Sequence, residues 1–200
     1  NIYAAHINAL ESLCSSSEKN DAAYGLVLED DADVNFFRKL SKALKIDLIA
    51  LLDQFPEVTN FNLSPSQGLC TAHAVARVSA LSVGALFTRH EFESWGAVAV
   101  AYNLRKACAV DFLRAQHKLK SCVPSDVGLY SGINGYISLD ASLPFFLVQD
   151  GRIVNSSHSA DGIHAELKKT NDHVRGLWNH APKLVNSNRP VLESGVSVNC

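Results

Sequence analysis

The sequence has no methionine, no long hydrophobic run and no strong net charge. No apolar stretch approaches the roughly 20 residues that a membrane-spanning helix needs, so we expect no membrane span. The net charge of −2 gives no electrostatic reason for binding nucleic acid, and we expect no such partner. Because the chain opens on asparagine and lacks methionine, it is predicted to be a piece of a longer protein.

The cysteines also show no spacing that indicates a metal site. They are odd in number and have neither the CxxC nor the Cys/His spacing of a zinc site. We therefore expect most of them to be buried thiols, which favours a reducing, cytoplasmic location, with the lumen of the secretory pathway as the alternative. The five residues are Cys14, Cys70, Cys108, Cys122 and Cys200.

The composition is that of an ordinary globular protein, with 47% hydrophobic and 19% charged residues in 200. No linker or repeat divides the chain, so residues 1–200 are predicted to form a single domain. Apolar periodicity predicts helices over 2–14 and 104–119. Residues 46–52 could form a strand or a helix, and the Asn-, Pro- and Ser-rich stretch 53–68 is expected to be a loop.

One segment stands out because a hydrophobic run, 24–28, which is predicted to contain a strand over 25–28, ends abruptly in acidic residues. Glu29, Asp30, Asp31 and Asp33 place four carboxylates within five residues. Aspartate is a poor strand former, and clustered like charges repel unless a cation lies between them. Carboxylate oxygens are the preferred ligands of hard divalent cations. The segment therefore predicts a metal site at the carboxyl edge of an α/β sheet.

Several kinds of acidic site can be compared with this segment. A calcium EF-hand is excluded because its required glycine and its bidentate glutamate are replaced by Phe36 and Lys42. A metal-dependent phosphatase would need a lysine and further carboxylates on later strands, and no convincing set is present. A nucleotide-sugar glycosyltransferase fits better, because its metal ion stabilises the growing charge of the diphosphate leaving group. The phosphatase and a simple solvated turn remain alternatives.

The residues also resemble a known family, glycosyltransferase family 25, which includes lipopolysaccharide and collagen galactosyltransferases. That family typically shows a Ser-His pair followed by a Leu-Glu-Asp-Asp motif. Here His6-Ile7-Asn8-Ala9-Leu10 is followed by Leu28-Glu29-Asp30-Asp31, with Ala5 at the serine position. Trp95-Gly96, Ala101-Tyr102 and the helix predicted over 104–119 are similar to the family's Gly-x-x-Ala-Tyr segment and the helix after it.

The resemblance implies a GT-A fold, which is a three-layer α/β/α sandwich with a mixed central sheet. It implies inverting transfer of galactose or glucose from a UDP-sugar to a glycan, glycoprotein or lipopolysaccharide acceptor, with Mn²⁺ or Mg²⁺ as cofactor. In that family a nucleotide-binding strand precedes the Ser-His pair by several dozen residues. We expect this strand to be absent from the chain, which leaves the donor's base open.

The resemblance also suggests roles on the metal side of the site. Asp31 would coordinate the ion, and Glu29 or Asp30 would contact the ribose or a metal-bound water. Asp31-Ala32-Asp33 is a second possible DxD frame, which makes Asp33 a further candidate ligand. A late histidine often completes such a site, and His158 is our first choice, with His164, His173 and His180 as alternatives.

On the acceptor side, inverting transfer needs one general base to take the proton of the attacking hydroxyl. Asp126 follows Pro124-Ser125 at a predicted helix start, where an acid could equally serve as a helix-terminal residue. Trp95 and Gly96 could form an acceptor-side wall, although a tryptophan in the core is as plausible. A catalytically silent domain that binds sugars or partners is the alternative function.

Overall fold

The computed structural model describes residues 2–65, 85–89, 96–119, 125–130, 135–149, 161–179 and 191–193. None of the described helices is long and apolar enough to cross a membrane. The helices are α1 (Ile2–Asn20), α2 (Val34–Leu44), α3 (Leu48–Leu52), α4 (Leu104–Ala107), α5 (Val110–Leu119), α6 (Ser125–Tyr130) and α7 (Asp161–Asn179). The strands are β1 (Tyr24–Leu28), β2 (Asn60–Asn62), β3 (Phe87–Arg89), β4 (Ala99–Asn103), β5 (Ser138–Ala141) and β6 (Val191–Glu193).

These strands form one mixed sheet in the order β1-β4-β2-β5-β3-β6. Strand β4 runs antiparallel to both β1 and β2, whereas β2 and β5 are parallel. Strands β1, β2 and β5 therefore point the same way, and their carboxyl ends lie at one edge of the sheet. The predicted α/β class with a mixed sheet is confirmed.

Helices cover both faces of the sheet because neighbouring residues of a strand point to opposite sides. On β4, Ala99 and Ala101 belong to a core cluster that includes residues of α2, α3 and α7. Val100 and Tyr102 belong to a second cluster with residues of α1, α4, α5 and α6. The edge strand β1 uses a glycine to bring α1 close, since a Cβ on Gly25 would lie 2.8 Å from Leu13 Cδ1.

Two predicted helices differ from the observed ones. Helix α1 continues through the polar residues to Asn20, where Ser15 and Ser16 donate their hydroxyl hydrogens to carbonyls one turn back. It ends before Asp21, which has a φ of 52° and donates its N–H to Ser17 O at 2.9 Å. The single helix predicted over 104–119 is broken into α4 and α5. Cys108 ends α4 and donates its N–H to Leu104 O at 3.1 Å.

The same cysteine is covalently tied to α1. Cys14 and Cys108 form a disulfide with their Cα atoms 5.5 Å apart. The prediction of thiols is therefore wrong for these two residues. Sequence spacing could not reveal the bridge, because 94 residues separate the pair and only the packing of α1 beside α4 brings them together.

The polar stretch predicted to be a loop also differs in part. Residues Asn60–Asn62 form β2, a fully buried strand in the middle of the sheet. Its asparagines are accommodated by hydrogen bonds, as when Asn60 Nδ2 donates to Leu129 O at 2.6 Å. The ambiguous stretch 46–52 contains helix α3, which begins after Asp47 because that side chain accepts the N–H of Ala50.

Candidate functional site

The acidic residues form a tight turn at the carboxyl end of β1. Ala32 donates its N–H to Glu29 O at 3.2 Å, which places Asp30 and Asp31 at the two central positions of a four-residue turn. Glu29 N–H extends the ladder between β1 and β4 by donating to Val98 O at 2.9 Å. Asp30 is exposed and Asp31 is half-buried. We call residues 29–32 the acidic turn.

A second segment holds this turn from the other side. Asp33 N–H donates to Leu147 O at 2.7 Å, and Gln149 N–H donates to Asp31 O at 2.7 Å. The Gln149 side-chain amide also donates to Ala32 O at 2.9 Å. With its backbone bonded on both sides, the acidic turn presents its carboxylates from a fixed position, as a ligand-binding site requires.

The Asp33 carboxylate is already engaged in the structure. Its Oδ1 accepts the N–H of Phe36 at 3.0 Å, which makes Asp33 the N-cap of α2. Its Oδ2 lies 3.8 Å from a guanidinium nitrogen of Arg175 on α7. The metal role of Asp33 stays a prediction, but a structural role accounts for this carboxylate.

A pocket of about 130 Å³ lies near the acidic turn, and no residue of the turn is among its lining residues in the described part of the chain. Val98, whose carbonyl accepts the Glu29 N–H, and Leu147, whose carbonyl accepts the N–H of Asp33 just after the turn, both line the pocket. Gly96 lines it as well, with a φ of 90° and a carbonyl that accepts the Tyr130 hydroxyl hydrogen at 2.9 Å. The other lining residues are mostly apolar and come from the end of β2, the segment after β5 and helix α7: Ser64, Pro65, Pro144, Phe146, Val148, Thr170, Asn171 and Val174.

The predicted site residues are only partly brought together. The structure places Glu29, Asp30 and Asp31 on the acidic turn, and Gly96 in the wall of the adjacent pocket. Most of the other predicted residues lie outside the described residues, wholly or in their side chains. Asp126 is the second residue of α6, but its side chain falls outside the described residues, as do Trp95, His158, His180 and the His164 side chain. His173 is described and is exposed on α7.

Polar residues that sequence reasoning missed lie at the same edge of the sheet. Asn62 and Asp140 are paired in register on β2 and β5, and each is at most 1% exposed. Asn62 Oδ1 accepts the Ser64 N–H, and Ser64 Oγ in turn accepts the Ala99 N–H, both at 3.1 Å. His6 on α1 is also buried, with Nε2 3.6 Å from Glu29 Oε1. Its place in a motif was the only sequence signal for that position.

Within the described ranges, no group of three or more His, Cys, Asp or Glu side chains could hold a metal ion. Comparison of the chain with protein-family models, with curated proteins and with solved structures finds no match. The geometry of the acidic turn and the nearby pocket is therefore the basis from which function is inferred.

Proposed function

We propose that the protein is a metal-dependent, inverting glycosyltransferase with a GT-A-like fold. It would transfer a hexose, galactose or glucose, from a UDP-sugar to a hydroxyl group of a glycan or glycoconjugate. The observation that carries this proposal is the acidic turn. Its two aspartates occupy the corners of a backbone-clamped turn at the carboxyl end of β1, and the turn is hydrogen-bonded to Val98, which lines a pocket.

The carboxylates of the turn suit a metal ion whose other ligands are phosphate oxygens of the donor and water molecules. Mg²⁺ in nucleotide sites is held by one or two carboxylates, with phosphate oxygens and waters completing the shell. Asp31 could supply one such carboxylate and Asp30 could hold a metal-bound water, so a third protein ligand is not required. Mn²⁺ or Mg²⁺ bound there would offset the charge that develops on the diphosphate as it leaves.

The pocket is large enough for only part of the donor, because its volume of about 130 Å³ is below the roughly 300–1,000 Å³ of a typical small-molecule site, and we assign it to the hexose end. Its walls are mostly apolar, with the polar side chains of Ser64, Thr170 and Asn171 among them. In the proposed reaction the acceptor oxygen bonds to C1 of the hexose, and the bond from C1 to the diphosphate oxygen breaks. The electron pair leaves with UDP, and Asp126 takes the acceptor's proton.

A second candidate is a GT-like domain that binds sugars without transferring them. It is supported by the engagement of one predicted metal ligand, because Asp33 caps α2 and lies 3.8 Å from Arg175. The secretory lumen is our proposed location, because the Cys14–Cys108 disulfide would persist in an oxidising compartment.

The test is a thermal unfolding screen with UDP-galactose and UDP-glucose, each with and without Mn²⁺. A donor concentration of about 100 times Kd raises the free energy of unfolding by ~2.7 kcal/mol, which raises Tm by several degrees. We expect this rise only when Mn²⁺ is present. Asp31→Asn removes a carboxylate at nearly constant volume and should abolish both the shift and the release of UDP from donor.

Asp111→Asn is the matched control, because that aspartate lies on α5 with its side chain 82% exposed. The Tm of this variant should rise with donor and Mn²⁺ by as much as that of the wild type. Wild-type protein that neither responds to the donors nor hydrolyses them would contradict the proposal. Binding without transfer to any acceptor would favour the silent domain, and turnover of simple phosphoesters would favour the phosphatase.

A further inference from the structure

His6 is a buried polar side chain that packing alone does not explain. It lies on α1 near the buried residues Tyr3, Ile7 and Leu10 in the sequence, and it is itself 3% exposed. Neither ring nitrogen has a hydrogen-bond partner in the part of the chain that the structure describes. A buried polar group without such a partner is destabilising, whereas an apolar residue at this position would carry no penalty. The histidine therefore calls for a polar partner.

The nearest charged group is the carboxylate of Glu29. His6 Nε2 lies 3.6 Å from Glu29 Oε1, longer than the roughly 2.7–3.2 Å of a hydrogen bond. The Glu29 backbone is held on both sides, by Val98 O through its N–H and by Ala32 N–H through its carbonyl. Only the Glu29 side chain needs to move to close the gap.

Glu29 also faces outward from this contact. Its side chain is 28% exposed, so it lies between the buried imidazole and the open side of the acidic turn. A carboxylate in this place can accept a hydrogen bond from the ring on its inner side and from a ligand on its outer side. Hydrogen bonds to an ionised carboxylate are among the stronger ones in proteins.

We propose that His6 is a positioning residue for Glu29. When a nucleotide sugar occupies the acidic turn, the His6 ring donates its Nε2–H to the Glu29 carboxylate. This bond fixes the carboxylate so that it accepts a hydrogen bond from a hydroxyl group of the ligand. The inference rests on the proposed function, because the ligand is its nucleotide sugar.

Two substitutions at His6 separate the bond from the packing. In His6→Gln the side-chain amide can reach the position of Nε2, whereas the shorter amide of His6→Asn cannot. Calorimetric titration with UDP-galactose and UDP-glucose in Mn²⁺ buffer should give nearly wild-type Kd for His6→Gln. For His6→Asn we expect Kd to rise about tenfold, the effect of one lost hydrogen bond. The two variants should be similarly stable towards urea.

A double-mutant cycle tests whether His6 acts through Glu29. In a Glu29→Leu background, where the side chain has no hydrogen-bond acceptor, His6→Asn should have little further effect on Kd. Equal Kd for wild type, His6→Gln and His6→Asn would overturn the inference and leave the proposed function standing. Failure of the wild type to bind either donor would instead overturn the proposed function and the positioning role with it.

One measurement needs no substitution at His6, in case those variants do not fold. The ¹⁵N chemical shifts of the His6 ring in wild-type protein saturated with UDP-galactose and Mn²⁺ should identify Nε2 as the protonated nitrogen. They should change in Glu29→Leu, which removes the acceptor. A ring that carries its proton on Nδ1 alone, or that is unaffected by Glu29→Leu, would overturn the inference.

Discussion

The carboxylate of Asp33 has two candidate uses, as a metal ligand in the second DxD frame and as the N-cap of α2. The two uses predict different effects of substitution. Asp33→Ala removes the cap and should lower the free energy of unfolding by about 1 kcal/mol, whereas Asp33→Ser keeps a capping oxygen and should change it little. If Asp31 is the ligand, both variants should retain the Mn²⁺-dependent response to UDP-sugars. Urea unfolding and the thermal screen measure the two effects. An Asp33→Ser variant that is stable but no longer responds would assign the metal to the second frame.

At the scale of elements, the disulfide joins α1 to the end of α4 and closes a long loop. The two cysteines are 94 residues apart, and a cross-link over such a loop stabilises by up to about 5 kcal/mol by restricting the unfolded chain. Cys14→Ala/Cys108→Ala should therefore lower the urea midpoint clearly. Dithiothreitol should lower the midpoint of the wild type but leave that of the double variant unchanged, which controls for the other three cysteines. Equal wild-type midpoints with and without reductant would contradict the prediction.

Local sequence signals were sufficient to predict the elements that lead into the site. Contacts between residues far apart in the sequence could not be predicted. The apolar run before Glu29 predicted β1, and Asp47 could have resolved the ambiguous stretch 46–52, because an N-cap aspartate marks a helix start. The strand Asn60–Asn62 could not be recognised, since its polar residues are stable only between β4 and β5. In the same way the sequence indicated Asp31, but not Leu147 or Gln149, which are far along the chain.

At the scale of the whole molecule, buried tyrosines make stability depend on alkaline pH. Burial raises the pKa of Tyr3 to about 12 and raises that of Tyr102 still further, both within the core cluster under α1. Unfolded tyrosines ionise near pH 10, so between pH 10 and 12 the folded state holds more protons. Stability is therefore fully present below pH 10 and falls as the pH rises towards 12, by about 1.4 kcal/mol per pH unit for each such tyrosine. Urea unfolding at pH 9, 10 and 11 measures this slope. The Tyr3→Phe/Tyr102→Phe variant lacks both phenols and should lose less stability over this range, while the lysines, which titrate nearby, contribute equally to both proteins. Identical slopes would show that these two tyrosines do not govern the alkaline limit.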